Sequence, residues 1–168
     1  MNLIVAVDKH WGIGYNNSLL VSIPADKKNF RAMTTGKTII MGRRTLESFR
    51  DGKPLPDRNN IVITTKKNYD GRGAIVVHSV EEALEKAREL SAEDDIFVIG
   101  GGQIYKQLYE QCKKAYVTKI DYSYRADTFF PDLDADKNWK MTEESEEQTC
   151  FDIEFTFCTY DNLLLEKE

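Results

Sequence analysis

Three features of the sequence predict an α/β protein with a largely parallel sheet and helices on both faces. Short β-branched runs recur between residues 2 and 120. They are apolar at consecutive positions, as strands covered on both sides are. Helical patterns fall between several of them, which is how parallel strands are connected.

The strand candidates are NLIVAV (2–7), KTIIM (37–41), NIVIT (60–64), AIVV (74–77), DIFVI (95–99) and AYVTKI (115–120). Ahead of KTIIM, Ser22 or Ile23 can precede a helix and Pro24 suits its first turn. SVEEALEKAREL is the clearest helix. Ser79 and Glu82 have capping-box spacing, and Val80, Ala83, Leu84, Ala87 and Leu90 form one stripe. GQIYKQLYEQC puts Ile104, Tyr105, Leu108 and Cys112 on one side. CFDIEFTFCTY (150–160) alternates instead, with Phe151, Ile153, Phe155 and Phe157 opposite Asp152, Glu154 and Thr156. That pattern predicts a half-exposed antiparallel edge strand. DLDADKNWK before it reads as a polar loop, and WGIGYNNSLL (11–20) as a mobile surface loop and candidate lid.

The chain has 168 residues, enough for one domain with one core. Its formal charge of −5 argues against a nucleic-acid partner, because phosphate contacts need clustered cations. Cys112, Cys150 and Cys158 have no metal-site spacing, and only His10 and His78 add imidazoles. No metal is expected, and reduced thiols point to the cytoplasm. The first residues carry no export signal, and no apolar run is long enough to span a bilayer, so no membrane association is expected.

Three strand ends carry groups suited to anions. VIGGGQIY (98–105) runs a strand into three glycines and a helix, reading either as a phosphate site or as a tight turn. It has neither the GxGxxG nor the P-loop pattern. IIMGRRTLESF (39–49) opens a helix with Arg43, Arg44 and Thr45, placing cations where the helix dipole prefers anions. An anionic ligand would relieve that conflict; two solvated arginines are the alternative. ITTKK (63–67) again ends a strand with hydroxyls and cations. Together they suggest one long polyanion, such as a phosphorylated dinucleotide, across the carboxyl edge of the sheet.

Asp26 belongs either to the helix dipole or to chemistry. It shares a helical face with Phe30 and Met33, whereas Lys27, Lys28 and Arg31 take other faces. An acid on an inner stripe is desolvated, which raises its pKa and makes it a proton or hydrogen-bond partner. GKPLPDRNN (52–60) is a rigid turn presenting Arg58, suited to a carboxylate or to a surface ion pair.

AVDKHWGIG, IPAD, IIMGRRTLES, KPLPDRNNIV, VIGGGQIY, VTKID and DTFFP, in this order, resemble dihydrofolate reductase over residues 2 to 160. The resemblance implies a single domain over 1–162 with a tail at 163–168. Its fold would be a central, mostly parallel eight-stranded sheet with a C-terminal antiparallel hairpin. It implies a monomeric, cytoplasmic oxidoreductase of one-carbon metabolism that reduces dihydrofolate with NADPH and binds antifolate-type molecules.

Asp26 then binds the pterin 2-amino group and N3, with Thr118 at the same end. Phe30, Phe49 and Leu55 line the cleft around the aminobenzoyl ring, Arg58 clamps the glutamate α-carboxylate, and Val5 and Lys27 also face the substrate. Ala6, Ile13 and Gly14 lie at the nicotinamide. Gly101, Gly102 and Gln103 form the pyrophosphate loop, with a cis bond at Gly100–Gly101. Arg43, Arg44, Thr45, Thr64, Thr65 and Lys66 hold the adenosine-phosphate side. Asn17, Leu19, Gly42, Ile99, Ile104 and Tyr105 complete the cofactor set, and Asp127 stabilises a loop.

Two positions depart from the pattern. Val21 stands where a water-holding tryptophan is usual, and Lys27 where an apolar residue lines the cleft. A reductase acting on a pyrimidine of riboflavin synthesis and a non-catalytic nucleotide sensor are the rival readings. Arg58 and Phe30 oppose the first, and an inward Asp26 opposes the second.

Overall fold

The computed structural model describes residues 1–16 and 18–165. In chain order the elements are β1 (Asn2–Val7), β2 (Gly12–Tyr15), β3 (Ser18–Leu19), α1 (Pro24–Thr34), β4 (Thr38–Gly42), α2 (Arg43–Ser48), β5 (Asn59–Ile63) and β6 (Ile75–Val77). There follow α3 (Val80–Leu90), β7 (Ile96–Gly100), α4 (Gly102–Leu108), β8 (Lys114–Ile120), β9 (Thr128–Phe129), β10 (Trp139–Glu144), β11 (Gln148–Cys150) and β12 (Ile153–Asn162).

The main sheet runs β10-β12-β8-β1-β7-β4-β5-β6, and β11 also pairs with β12. Pairing is parallel from β8 through β6 and antiparallel around β12. The expected mostly parallel sheet with a C-terminal antiparallel hairpin is borne out, with β11 as a further short strand.

Consecutive apolarity has a direct cause. Leu3, Val5 and Val7 of β1 join one core cluster with Ala83, Leu84 and Ala87 of α3 and with Ile104 and Leu108 of α4. Ile4, between them, faces a second cluster with Leu46 of α2 and with Phe30 and Met33 of α1. Successive strand residues point to opposite faces, so a strand covered by helices on both sides has no polar positions to spare. Each fully buried Ile or Val contributes about 1.5–3 kcal/mol relative to exposure, and Ile39, Ile40, Ile61 and Val62 are all completely buried.

Several expectations need correction. Residues 11–20 are more than a loop: β2 pairs with β3 and β9 in a separate three-stranded sheet. The segment 150–160 is not one strand. Phe151 and Asp152 take positive φ in a turn between β11 and β12, so Phe151 is 93 % exposed while Phe155 is buried. Beyond Phe157 the buried face switches: Cys158 and Tyr160 enter the opposite core cluster, while Thr159 and Asp161 stay half-exposed. The polar loop before it ends earlier than expected, because buried Trp139 begins β10. Leu90 lies at the helix end and is exposed instead of completing the α3 stripe. Ser79 caps α3 by accepting the Glu82 N–H, but the Glu82 carboxylate accepts from the His78 N–H and not from the cap residue.

Asp8, just after β1, has a structural role not anticipated from the sequence. It is buried and accepts the backbone N–H groups of His10, Gly12 and Tyr124 at 2.9, 2.8 and 3.0 Å. One carboxylate thereby ties the β1–β2 connection to the segment after β8. Asp8→Ala leaves these donors unpaired, and losing such partners costs about 1–3 kcal/mol each where the group is buried. The variant is expected to unfold at lower urea concentration than the parent, by about 2–4 kcal/mol in all. An unchanged urea midpoint contradicts the assignment.

Candidate active site

The site begins with the start of α1. Pro24 occupies the first helical turn, and Ile23, the residue before it, is buried and offers no side-chain cap. Asp26 is in this first turn, where the dipole favours its charge. Its carboxylate nevertheless takes a longer-range partner. Thr118 of β8 donates its hydroxyl to Asp26 Oδ1 at 2.6 Å. Thr118 is register neighbour to Ala6 of β1, so both side chains project from the same face of the sheet. Burial raises the Asp26 pKa above its ordinary value, and the Thr118 hydrogen bond opposes that rise.

Phe30, Phe49 and Leu55 are half-buried and pack on the same cluster as Met33 and Ile99. They form the apolar wall expected beside Asp26. Val5 turns its side chain into the opposite core cluster, so only its backbone remains for the α1 side. Lys27 is exposed on α1.

Arg58 is held at the end of this wall. Its Nε donates to the Pro56 carbonyl at 3.0 Å, and its Nη1 lies 3.4 Å from Thr34 Oγ1 on α1. Asn60 fixes the turn that presents it. The Asn60 amide accepts the Leu55 N–H and donates to the Leu55 and Arg58 carbonyls. Burial lowers the Arg58 pKa, and nearby Arg31 lowers it further, while Asp57 acts oppositely. Arg31, Thr34 and Asn60 were missed from the sequence. Helical spacing put Arg31 off the Asp26 face, and only the folded turn brings Arg58 to it.

The carboxyl ends of β7, β4 and β5 lie side by side, because these strands are parallel neighbours. This gathers Gly100–Gly102, Gly42–Thr45 and Thr64–Lys66. The Gly100–Gly101 peptide is cis. A Cβ on Gly42 would lie 3.2 Å from Ile104 Cγ1, and one on Gly101 would lie 3.5 Å from Thr45 Oγ1, so the two glycine turns abut. A Cβ on Gly102 would fall 2.6 Å from Thr128 Cγ2, which only glycine avoids. Neither α2 nor α4 has a side-chain cap, so their first N–H groups stay open to an acceptor. This row of backbone donors, hydroxyls and cations fits a pyrophosphate with a further phosphate.

Two details modify the expected anion site. Arg43 pairs with Glu47 at 2.9 Å, so the cationic helix start is already balanced in part. Thr64 is buried, with its hydroxyl accepting the Lys66 N–H at 3.1 Å; Thr65 and Lys66 are exposed. His78, at the end of β6, was not anticipated here. Its Nδ1 lies 2.9 Å from the Thr64 carbonyl oxygen and donates to it.

At the other flank, Ile13 is in the core, Gly14 lies in β2, and Leu19 in β3 is 75 % exposed. Asp127 accepts the Asn16 N–H at 2.9 Å and the Thr128 hydroxyl at 2.9 Å. These bonds pull its pKa down and tie the β2–β3 hairpin to β9. Ile104 and Tyr105 are buried on α4, with the Tyr105 hydroxyl donating to the Ile4 carbonyl at 2.6 Å. Gln103 is exposed at the first turn of α4. Asn17 lies outside the described residues, as do residues 166–168 of the expected tail.

The chain is 36 % identical over 159 residues to a dihydrofolate reductase of Bacillus subtilis, covering 92 % of this chain and 91 % of that protein. It is 38 % identical over 165 residues to one of Haemophilus influenzae, covering 94 % and 97 %. A dihydrofolate reductase from Enterococcus faecalis, solved in complex with NADP(H) and RAB-propyl, superposes with a TM-score of 0.81 at 31 % identity, covering 95 % of this chain and 94 % of that one. The sequence model described as dihydrofolate reductase matches residues 1–162. With the acid, the apolar wall and the glycine turns arranged as above, the chain belongs to the dihydrofolate reductase family.

Proposed function

We propose that the chain reduces 7,8-dihydrofolate to 5,6,7,8-tetrahydrofolate with NADPH, hydride reaching C6 and a proton reaching N5. The observation that carries this reading is the partly desolvated Asp26–Thr118 pair on the sheet face that also bears the apolar wall.

The carboxylate of Asp26 accepts the adjacent N–H donors of the pterin, its 2-amino group and N3, and two parallel bonds fix the ring in plane. The negative charge of that carboxylate in turn favours a cationic N5. Phe30, Phe49 and Leu55 hold the aminobenzoyl ring in a dry channel, and Arg58 takes the α-carboxylate in its fork. Arg31 beside it adds positive field.

NADPH supplies the hydride when bound. The glycine turns at 42 and 100–102, with Arg43, Arg44, Thr45, Thr64, Thr65 and Lys66, would hold its phosphates. Ala6, Ile13 and Gly14 would border the nicotinamide. These groups align two flat rings and exclude water; that orientation is the main source of rate.

In this reading residues 1–162 are the catalytic domain and 163–168 a tail. One chain contributes every named group, so a monomer suffices. Antifolate-type molecules compete at Asp26. A cytoplasmic location accords with three unpaired cysteines. No helix among the described residues is long and apolar enough to cross a membrane.

Mixing the protein with NADPH and dihydrofolate should consume NADPH absorbance; no turnover removes the reading. Asp26→Asn is expected to fold and bind NADPH, with turnover near neutral pH down by about 10²–10⁴-fold. Turnover at the parent rate would reduce Asp26 to a helix-dipole residue. The same variant has a stability signature. A raised pKa means that the folded state holds the proton more tightly than the unfolded chain. The stabilisation is then full below the ordinary value of 3.8 and is lost as pH rises through the folded value. Asp26→Asn should therefore melt above the parent at about pH 7, and the gap should close towards about pH 3.5.

Arg58→Leu should raise the KM for dihydrofolate by about 10–100-fold with little change in kcat, as expected for a lost charged hydrogen bond. An equal fall in kcat would place Arg58 in the chemistry instead. Removing both arginines, Arg43→Ala with Arg44→Ala, should narrow the preference for NADPH over NADH. An unchanged ratio of rates with the two cofactors refutes the phosphate assignment.

A further inference from the structure

Arg43 reaches the proposed phosphate row already engaged on its own helix. Its Nη1 donates to both carboxylate oxygens of Glu47, at 3.0 and 2.9 Å. Glu47 has a second neighbour. The Tyr69 hydroxyl, in the connection between β5 and β6, donates to Glu47 Oε1 at 3.4 Å. Tyr69 packs on the core cluster that holds Leu46 and Val62, so its ring is anchored. Burial and the Glu47 charge push its pKa up, against the opposing fields of Arg43 and Arg72, so the phenol remains a donor. Glu47 thus stands between a guanidinium and a fixed hydroxyl, and neither proposed ligand touches it.

We propose that Glu47 is a positioning residue that hastens release of the phosphorylated cofactor: it recaptures Arg43 from the 2′-phosphate, and Tyr69 holds its carboxylate while the phosphate is bound. The proposal rests on the reading of Arg43 as a phosphate-side group. A phosphate dianion and a carboxylate compete for the same guanidinium. The dianion has the larger charge, but Glu47 is tethered one turn away on α2, so its local concentration is fixed and high. Recapture therefore needs only a side-chain movement. The ribose 2′-hydroxyl of NADH carries no charge and does not draw Arg43 out of the pair. Glu47 then acts on NADPH and its oxidised form and is silent towards NADH.

The surroundings keep this competition close to balance. The Arg43 and Glu47 side chains are 24 % and 44 % exposed, so water screens the pair and a ligand can open it. Once Arg43 leaves, a carboxylate without a partner would stand beside the bound phosphate and repel it. The anchored Tyr69 hydroxyl lessens that penalty by donating to Glu47. Arg72 is engaged elsewhere: its Nη1 donates to the Asp51 carbonyl, and its backbone N–H to Asp70. Lys66 and Lys67, exposed in the same connection, add the field that attracts the phosphate in the first place.

The test measures binding and dissociation of NADPH and NADH in the full chain, with adenosine 2′,5′-bisphosphate and 5′-AMP as smaller probes. Glu47→Gln should slow NADPH dissociation and tighten its Kd by about three- to five-fold, the range of an exposed ion pair. Adenosine 2′,5′-bisphosphate should gain by the same factor, while NADH and 5′-AMP stay within about 1.5-fold of the parent. Tyr69→Phe should weaken NADPH binding by about two-fold in the parent and have no effect in the Glu47→Gln background, because the hydroxyl acts only through the carboxylate. Equal changes for NADPH and NADH, weaker NADPH binding in Glu47→Gln, or an effect of Tyr69→Phe that persists without the carboxylate overturns the proposal. If Glu47→Gln does not fold, Glu47→Ala is judged by the same readouts. A parent that binds adenosine 2′,5′-bisphosphate no better than 5′-AMP refutes the phosphate assignment, and the proposal with it. A parent that never turns over dihydrofolate refutes the reductase reading alone, since the binding measurements still judge Glu47.

Discussion

One hydroxyl decides what Asp26 can be. Thr118 and Asp26 are 92 residues apart, and their bond forms only because β8 pairs in parallel with β1 while α1 crosses the same face. A one-residue slip of β8 would turn Thr118 into the opposite core and bring an apolar neighbour to the acid. The acid would then be desolvated with no partner, at a cost of several kcal/mol for a buried charge. The long apolar register of β8 against β1 and β12 is thus what makes a usable carboxyl affordable at the sheet surface.

The parallel core was legible because both-sided burial leaves a strong local mark. Ile39, Ile40, Ile61 and Val62 could be little else than strand residues between two helical layers. Asp26 was legible as an inner acid because helical spacing alone sets it beside Phe30. What stayed hidden depends on partners far along the chain. β2 pairs on one side with its neighbour β3, but its other edge is paired by β9, more than a hundred residues later. Asp8 looks like any loop acid until Tyr124 arrives beside it. The hairpin at Phe151 was hidden by alternation that continues through the turn. The exposed Phe151 keeps the phase of the strand without joining it.

The cations are arranged less simply than their sequence clusters suggest. The chain is acidic overall, yet burial and the nearby Arg31 both disfavour the charge of Arg58. Like charges held near a half-buried turn are tolerated where an anion visits, since each visit removes the repulsion. Arg43 shows the opposite solution: Glu47, one turn along α2, neutralises it when no ligand does. In the proposed reading, the first arrangement would suit a carboxylate, and the second would keep Arg43 balanced until a phosphate competes for its guanidinium.

The borders of the main sheet have a further consequence. One border is β6, only three residues long. At the other, β12 is shielded by two short strands, and β10 breaks register between Met141 and Glu143 while exposing Lys140, Glu143 and Glu144. Brief, irregular and charged margins give a neighbouring chain no straight ladder to extend. Among the described residues, then, crowding should not readily lead to strand-by-strand aggregation from either side of the main sheet.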